Sequence, residues 1–368
     1  MPPSTAQHAV DLVCEGGGVK GIGLAGAYAA LEAHGWQPRQ LAGTSAGAIT
    51  AALIAAGYTA SELTDVVFDL DYRRFEDKTW MDHIPAAGKP LSILMENGIY
   101  KGEAFLEWMR GMLAEKGVRT FTDLPAGGQG GKYGSRLQVI ASDISARRLL
   151  VLPRDASELG LDAGELEVAH AVRMSISIPL YFKPVRLAHP ETNQEHLIVD
   201  GGILSNFPVW LFDRADGQPP RWPTFGLLLV EPDPKTQIGE RIPPGEHAAR
   251  GPRGLVTLLS GVLHTMLEAH DRLYVEKAEY ARTIPIPTLG VGTTEFAIGK
   301  ERARALFESG RTAAERFLES WDFDAYIAAF RSGRQYSRRA ETATQLAHAR
   351  GADASAAVTS GDPVPRQP

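Results

Sequence analysis

Residues 10–57 read VDLVCEGGGVKGIGLAGAYAALEAHGWQPRQLAGTSAGAITAALIAAG and contain the strongest indications of how the chain folds. The apolar run at 10–14 leads into a cluster of glycines, which opens an alanine-rich stretch at 24–34 that predicts a helix. Gly35 follows the last apolar position, as expected at a helix C-terminus. A short strand at 40–42 then leads into a second glycine-flanked turn and a second apolar helix. The stretch therefore predicts strand, tight turn and helix, twice in succession.

Short apolar runs that alternate with helical patterns continue beyond this stretch. They read LQVIASD, RLLVL, HLIVD and TFGLLLV, at residues 137–143, 148–152, 196–200 and 224–230. Such alternation predicts the α/β class, with a central, mainly parallel sheet flanked by helices. Three later helical patterns are expected to pack against this sheet, at 255–282, 301–321 and 323–331.

Composition and charge narrow the classes of function. The formal net charge is -6, without a Lys/Arg cluster of the kind that neutralises phosphates, so we expect no nucleic-acid partner. Cys14 is the only cysteine, which excludes an internal disulfide and a multi-cysteine metal cage. Neither His-Glu-x-x-His nor clustered carboxylates appear, so we expect no metal. The first residues lack a secretory pattern and no run approaches ~18 apolar residues, so we expect a cytoplasmic protein without a transmembrane segment.

Gly43-Thr44-Ser45-Ala46-Gly47 is the sharpest motif, a G-x-S-x-G between a predicted strand and a predicted helix. This setting is typical of a nucleophile elbow, in which the serine occupies a strained turn. Gly43 and Gly47 fit the elbow because larger side chains two positions either side of the serine would collide. The helix N-terminus that follows favours negative charge beside Ser45. The motif predicts that Ser45 is a nucleophile.

A second motif, GGGVKG, lies between the first predicted strand and the first predicted helix. It contains Gly16, Gly17, Gly18, Lys20 and Gly21. The spacing matches the G-x-G-x-x-G of dinucleotide sites, but the acidic residue expected about twenty positions later is missing. In the alternative interpretation, backbone N–H groups of the glycines point at a developing oxyanion, and Lys20 adds positive potential nearby.

A third motif, Asp200-Gly201-Gly202, follows the apolar run HLIV. Because Asp-Gly is a common turn pair, the pattern alone favours a strand-ending turn. The alternative is that Asp200 serves as a base for Ser45. The other two motifs decide between these interpretations.

GGGVKG, GTSAG and DGG, in this order and at these separations, resemble the three signatures of the patatin-like phospholipase family. The resemblance spans residues 9–212 and continues more weakly through TTEFAIGKERARALFESG. It implies the three-layer fold of that family and a catalytic dyad of Ser45 and Asp200. It also places Gly17 and Gly18 in an oxyanion hole.

The resemblance further implies the reaction and its substrates. These are the hydrolysis of carboxylic esters of acyl lipids, of the phospholipase A or lysophospholipase kind, through an acyl-enzyme and without a cofactor. Peripheral contact with a membrane stays open. In this arrangement Gly16 and Gly21 support the oxyanion loop, and Gly201 and Gly202 complete the aspartate motif. Lys20 stands where many members carry Arg, so the loop lacks a planar guanidinium fork.

Domain boundaries follow from the resemblance and from composition. We expect a catalytic core at 9–212, a C-terminal strand and helices that pack on it at 213–334, and a disordered tail at 335–368, which is poor in aromatic and large aliphatic residues. Residues 80–95 mix Trp, Met and Leu with Pro and fit either the mouth of a lipid site or ordinary core.

Three alternatives to a Ser-Asp dyad enzyme stay open at the level of sequence. A Ser-Asp-His triad would need a late histidine such as His264, His270 or His348, none of which lies in a suitable motif. A dinucleotide-dependent oxidoreductase would use the GGGVKG loop, and a catalytically silent lipid-binding protein would keep the fold without turnover. The serines of MSISIP, residues 174–179, and Asp143 are interpreted as packing and turn residues.

Overall fold

The structure is a computed structural model that describes residues 8–75, 98–125, 135–214, 218–231, 277–293 and 295–331. The chain divides into two units, one of residues 1–209 and 223–321 and one of residues 210–222 and 322–368. Within the described ranges, no helix has both the length and the apolar character needed to span a bilayer. The predicted mouth at 80–95, the predicted tail at 335–368 and most of the predicted helix at 255–282 lie outside these ranges.

An eight-stranded sheet dominates the first unit. The strands of this unit in chain order are β1 (His8–Cys14), β2 (Trp36–Thr44), β3 (Gly98–Tyr100), β4 (Leu137–Asp143), β5 (Arg148–Leu152), β6 (Leu180–Phe182), β7 (Val185–Ala188), β8 (Glu195–Asp200), β9 (Thr224–Val230) and β10 (Thr283–Pro287). The order across the sheet is β10-β9-β1-β2-β4-β8-β7, with β5 also paired to β4, while β3 and β6 form a separate pair. The strands from β10 to β4 in this order run parallel, and β5, β7 and β8 run antiparallel to their neighbours.

Helices connect most of the parallel strands. In the described part of the first unit they are α1 (Ile22–Ala33), α2 (Ala46–Ala56), α3 (Ala60–Asp69), α4 (Glu103–Glu115), α5 (Val168–Ser175), α6 (Lys277–Tyr280) and α7 (Lys300–Ser320). The predicted α/β class, with a mainly parallel central sheet flanked by helices, is confirmed.

The burial of the first elements explains why the sequence folds this way. The last five residues of β1 are buried, as expected of a strand that is covered on both faces. Helix α2 is mostly alanine and is buried along nearly its whole length, so small side chains let it lie close against the sheet. The alternation with helices breaks between β4 and β5, which are joined by residues 144–147 alone. So short a turn permits only antiparallel pairing.

Helices α1 and α7 pack with their backbones in close approach. A Cβ atom added at Gly26 of α1 would lie 1.9 Å from the carbonyl oxygen of Phe307, and one added at Gly310 of α7 would lie 1.9 Å from that of Gly23. No side chain can be accommodated at either crossing point. Because α1 follows the GGGVKG loop directly, α7 supports the helix that carries this loop.

The described part of the second unit is small. Helix α8 (Phe323–Phe330) begins at Asp322, whose carboxylate accepts a hydrogen bond from the Ala325 N–H at 2.8 Å. The Arg331 guanidinium donates to Asp213 at 3.0 Å and lies over the ring of Tyr326. These contacts tie α8 to the short segment at 210–214 within the same unit.

Candidate active site

Strand register brings the three motifs together. Ser45 follows β2, the GGGVKG loop follows β1, and β1 pairs with β2 in parallel. Asp200 ends β8, which runs antiparallel to the neighbouring strand β4. On β4, which lies between β2 and β8, Ile140 pairs with Thr44 and the next residue, Ala141, pairs with Asp200. Asp200 and Ser45 therefore meet across the middle of β4 at the edge where β1 and β2 end.

Ser45 occupies a sharp turn between β2 and α2. Its backbone has φ 51° and ψ -124°, a conformation that L-residues other than glycine rarely adopt. The flanking glycines leave room for this turn, since a Cβ at Gly43 would lie 2.3 Å from the Gly47 oxygen and one at Gly47 would lie 2.2 Å from the Cys14 oxygen. The turn has the backbone shape expected of the predicted nucleophile elbow.

The last residue of α5 and the segment that follows it hold the backbone of both Ser45 and Asp200. The Ser45 N–H donates to the Ser175 hydroxyl oxygen at 2.9 Å, and that hydroxyl donates to the Ile140 carbonyl oxygen at 2.5 Å. Two residues later, the Ser177 carbonyl oxygen accepts from the Asp200 N–H at 2.9 Å. The sequence interpretation of MSISIP as ordinary packing and turn residues missed this role, because no local pattern shows which distant backbone groups these serines bind.

Asp200 is fully buried, and its two carboxylate oxygens differ. Oδ1 accepts the Gly202 N–H at 2.8 Å, whereas Oδ2 makes no well-aligned hydrogen bond within the described part of the chain. Burial raises the pKa of Asp200 from the ordinary 3.8 to about 7, while hydrogen bonding from the nearby Ser45 hydroxyl and the Gly202 N–H acts in the opposite direction. Long or poorly aligned contacts between catalytic groups are common before a substrate binds.

The GGGVKG loop presents two backbone N–H groups beside Ser45. The N–H groups of Gly16 and Val19 donate to the carbonyl oxygens of Asn206 and Thr293, at 3.2 and 3.1 Å. Those of Gly17 and Gly18 have no acceptor in the described ranges. Both glycines line the same pocket as Ser45 and Asp200, so their N–H groups are available to an anionic oxygen there.

The remaining residues of the three motifs lie around the Gly17 and Gly18 N–H groups. Lys20 is buried and its ammonium group donates to the Glu231 carboxylate at 2.6 Å, so its charge is already paired. Gly21 precedes α1 and packs on Ala46. Gly201 packs against the carbonyl oxygen of Ile140 on β4.

The pocket also contains residues that sequence reasoning did not select. They are Glu15, Ile178, Asn206, Leu229 and Thr293. Leu229 and Thr293 lie beyond residue 212, so β9 and the segment after β10 contribute to the pocket as well as the three motifs. Asn206 follows the DGG motif closely, and this proximity was the one signal available from sequence.

Histidines and metal ligands do not gather in the described part of this pocket. No histidine is among its lining residues. Buried His196 instead contacts the Asp143 carboxylate through Nδ1 at 2.7 Å. Nowhere in the described ranges do three or more His, Cys, Asp or Glu side chains form a group that could hold a metal ion. His264, His270 and His348 lie outside the described residues.

Comparison with known proteins gives one family and several relatives. A family model described as patatin-like phospholipase matches residues 12–213. The uncharacterized protein YqhO of Bacillus subtilis (strain 168) is 35% identical over 314 residues, which make up 85% of this chain and 99% of that protein.

Two solved structures are also similar to this chain. VipD from Legionella pneumophila has a TM-score of 0.48 and 18% identity over 85% of this chain and 67% of that one. The complex of ExoU and SpcU from the type III secretion system of Pseudomonas aeruginosa has a chain with a TM-score of 0.45 and 18% identity, over 85% of this chain and 52% of that one.

Proposed function

Because this chain belongs to the patatin-like phospholipase family, we propose that it is a lipid ester hydrolase in which Ser45 is the nucleophile and Asp200 is the only base. One observation carries the proposal. A serine in a strained elbow lies beside a buried carboxyl whose pKa is about 7, and both face a pocket that holds two available N–H groups.

The proposed reaction begins when Ser45 Oγ attacks the carbonyl carbon of the ester and Asp200 takes the hydroxyl proton. The carbonyl electron pair moves onto oxygen, which the Gly17 and Gly18 N–H groups stabilise. The tetrahedral intermediate then breaks its bond to the alcohol, which leaves with the proton from Asp200. A water molecule attacks the acyl-enzyme by the same route and releases the carboxylic acid and free Ser45.

Burial explains how an aspartate serves as a base without a histidine. A solvated carboxylate with a pKa near 3.9 is too weak a base for a serine hydroxyl. Removal from water destabilises the charged form of Asp200 and raises its pKa to about 7, which lies near neutral pH. A base matched to the working pH transfers protons in both directions most efficiently.

The substrate proposal follows from the family and from the pocket. Ile178 and Leu229 line one part of it, and Ile178 belongs to a small apolar cluster with Val199 and Ile203. We assign this apolar surface to the first carbons of an acyl chain, and a lipid held in a bilayer would be reached by peripheral contact. Phospholipids and lysophospholipids both present such an ester.

The test is labelling and turnover of matched variants. Purified protein is incubated with a fluorophosphonate probe and a short-chain p-nitrophenyl ester, together with the variants Ser45→Ala and Asp200→Asn. Labelling and hydrolysis should vanish in Ser45→Ala, and hydrolysis should fall by about 10³-fold or more in Asp200→Asn, because the nucleophile loses its base.

Ser157→Ala and Asp65→Asn serve as controls, since both side chains are exposed on helical segments. They should match the wild type. A folded wild type that neither reacts with the probe nor turns over the ester would overturn the proposed function and favour a silent lipid-binding protein.

A further inference from the structure

Asn206 binds both polar backbone groups of Gly16. The backbone carbonyl oxygen of Asn206 accepts the Gly16 N–H at 3.2 Å, and the side-chain Nδ2 of Asn206 donates to the Gly16 carbonyl oxygen at 3.0 Å. The side chain is buried and lines the pocket that contains Ser45. The residue that begins the glycine loop is therefore held on both sides by one asparagine.

This contact determines where the Gly17 N–H points. A trans peptide is planar, with its C=O and N–H directed to opposite sides. Since the Gly16 carbonyl oxygen is turned toward Asn206, the N–H of the same peptide is directed away from Asn206. No described residue accepts a hydrogen bond from that N–H, and Gly17 lines the pocket.

The peptide between Gly16 and Gly17 needs such a restraint. Neither residue has a Cβ, so both can populate backbone conformations that other residues avoid. Rotation of this peptide plane by half a turn would place the Gly16 carbonyl oxygen, rather than the Gly17 N–H, where an oxyanion forms. A negative oxygen in that position would repel the transition state that the N–H stabilises.

Glu15 fixes the direction of the Asn206 amide. Glu15 Oε1 accepts from Nδ2 at 3.3 Å, and Oε2 accepts the Leu229 N–H of β9 at 2.5 Å. The Glu15 carboxylate and the Gly16 carbonyl oxygen, which Nδ2 contacts, are both acceptors. Only the NH₂ end of the amide satisfies them, so the network assigns the amide orientation.

We infer that Asn206 is a positioning residue of the ester hydrolase, one that locks the Gly16–Gly17 peptide so that its N–H faces the oxyanion. This inference rests on the proposed function. Loss of the lock removes one oxyanion donor in most molecules, which lowers kcat by about 10²–10³-fold and leaves KM within about threefold.

The decisive variant is Asn206→Asp, which keeps the shape of the side chain and removes the donor. Its kcat and KM are measured on a p-nitrophenyl ester, and its affinity for a trifluoromethyl ketone reports binding of a tetrahedral oxyanion. We expect kcat and ketone affinity to fall together while KM holds. Asn193→Asp, at an exposed turn, is the matched control and should match the wild type in all three.

A second variant separates the lost donor from charge repulsion. Asn206→Asp alone places two carboxylates together, whereas Asn206→Asp combined with Glu15→Gln removes the repulsion and still leaves the Gly16 carbonyl oxygen without a donor. We expect the double variant to recover thermal stability and not kcat. Recovery of kcat, or an Asn206→Asp variant within about threefold of the wild type, would overturn this inference alone. A wild type without turnover would overturn the proposed function together with it.

Discussion

At the scale of single residues, the burial that suits Asp200 to its proposed role as a base also makes the stability of the fold depend on pH. Burial of its carboxyl raises the pKa from 3.8 to about 7, so between these pH values the folded protein holds a proton that the unfolded chain has released. The stabilisation that this retained proton gives to the folded state is therefore full below about pH 4 and is lost as pH rises through about 7. Each pKa unit corresponds to about 1.4 kcal/mol, which makes the loss on the order of 4 kcal/mol.

The Asp200→Asn variant should therefore be more stable than the wild type above pH 7. An amide of the same shape stays neutral in the same site, so the difference in free energy of unfolding should shrink as pH falls and disappear near pH 4. Urea unfolding of both proteins over a pH series measures it. A difference that does not change with pH would mean that Asp200 ionises normally in the folded state.

Ser175 provides a second test at this scale. Ser175→Ala would leave the buried Ser45 N–H without its acceptor, which should cost about 1–3 kcal/mol and let the strained turn relax. Labelling of Ser45 by the fluorophosphonate should slow by about tenfold or more, while Ser157→Ala, an exposed serine, should change neither quantity. Unchanged labelling in a destabilised Ser175→Ala protein would limit Ser175 to a structural role.

These residues mark how far the sequence could predict the site. The glycines around Ser45 and the GGGVKG loop are local features, and each could be interpreted from its neighbours along the chain. Ser175 and Asn206 act on backbone groups far away in sequence, at Ser45 and Gly16, so only the three-dimensional structure reveals them.

At the scale of elements, close packing of α1 on α7 depends on glycine. A methyl group at Gly310 would overlap the Gly23 carbonyl oxygen, so Gly310→Ala should force the helices apart and lower the free energy of unfolding by about 1–3 kcal/mol or more. Gly111 in α4 is the matched control, because a Cβ there would meet nothing within 4 Å. Gly111→Ala should stabilise by about 0.5–1 kcal/mol.

Chemical denaturation of the two alanine variants measures both changes. Equal effects at the two positions would contradict the close approach of α1 and α7. The sequence located α1 from its alanine-rich stretch and α7 from its helical pattern, but their contact could not be foreseen. Glycines inside a helical pattern indicate either a tolerated defect or a crossing point, and the partner helix decides which.

At the scale of the whole molecule, the sheet extends past the region of strongest resemblance. The family model ends at residue 213, yet β9 pairs with β1 and β10 pairs with β9. The sequence predicted the class of the fold because buried parallel strands are short, apolar and separated by helices. It did not predict β10, whose run TIPIP contains two prolines and is typical of a loop or an edge strand.

The pairing of β1 with β9 also sets an order of events during synthesis. Strand β1 is made shortly before β2, with which it pairs on one edge, but its other edge stays unpaired on the ribosome until β9 emerges. Thr293, which accepts the Val19 N–H of the glycine loop, comes later still. A nascent chain thus carries Ser45, the proposed nucleophile, without its complete pocket until Leu229 and then Thr293 have been made.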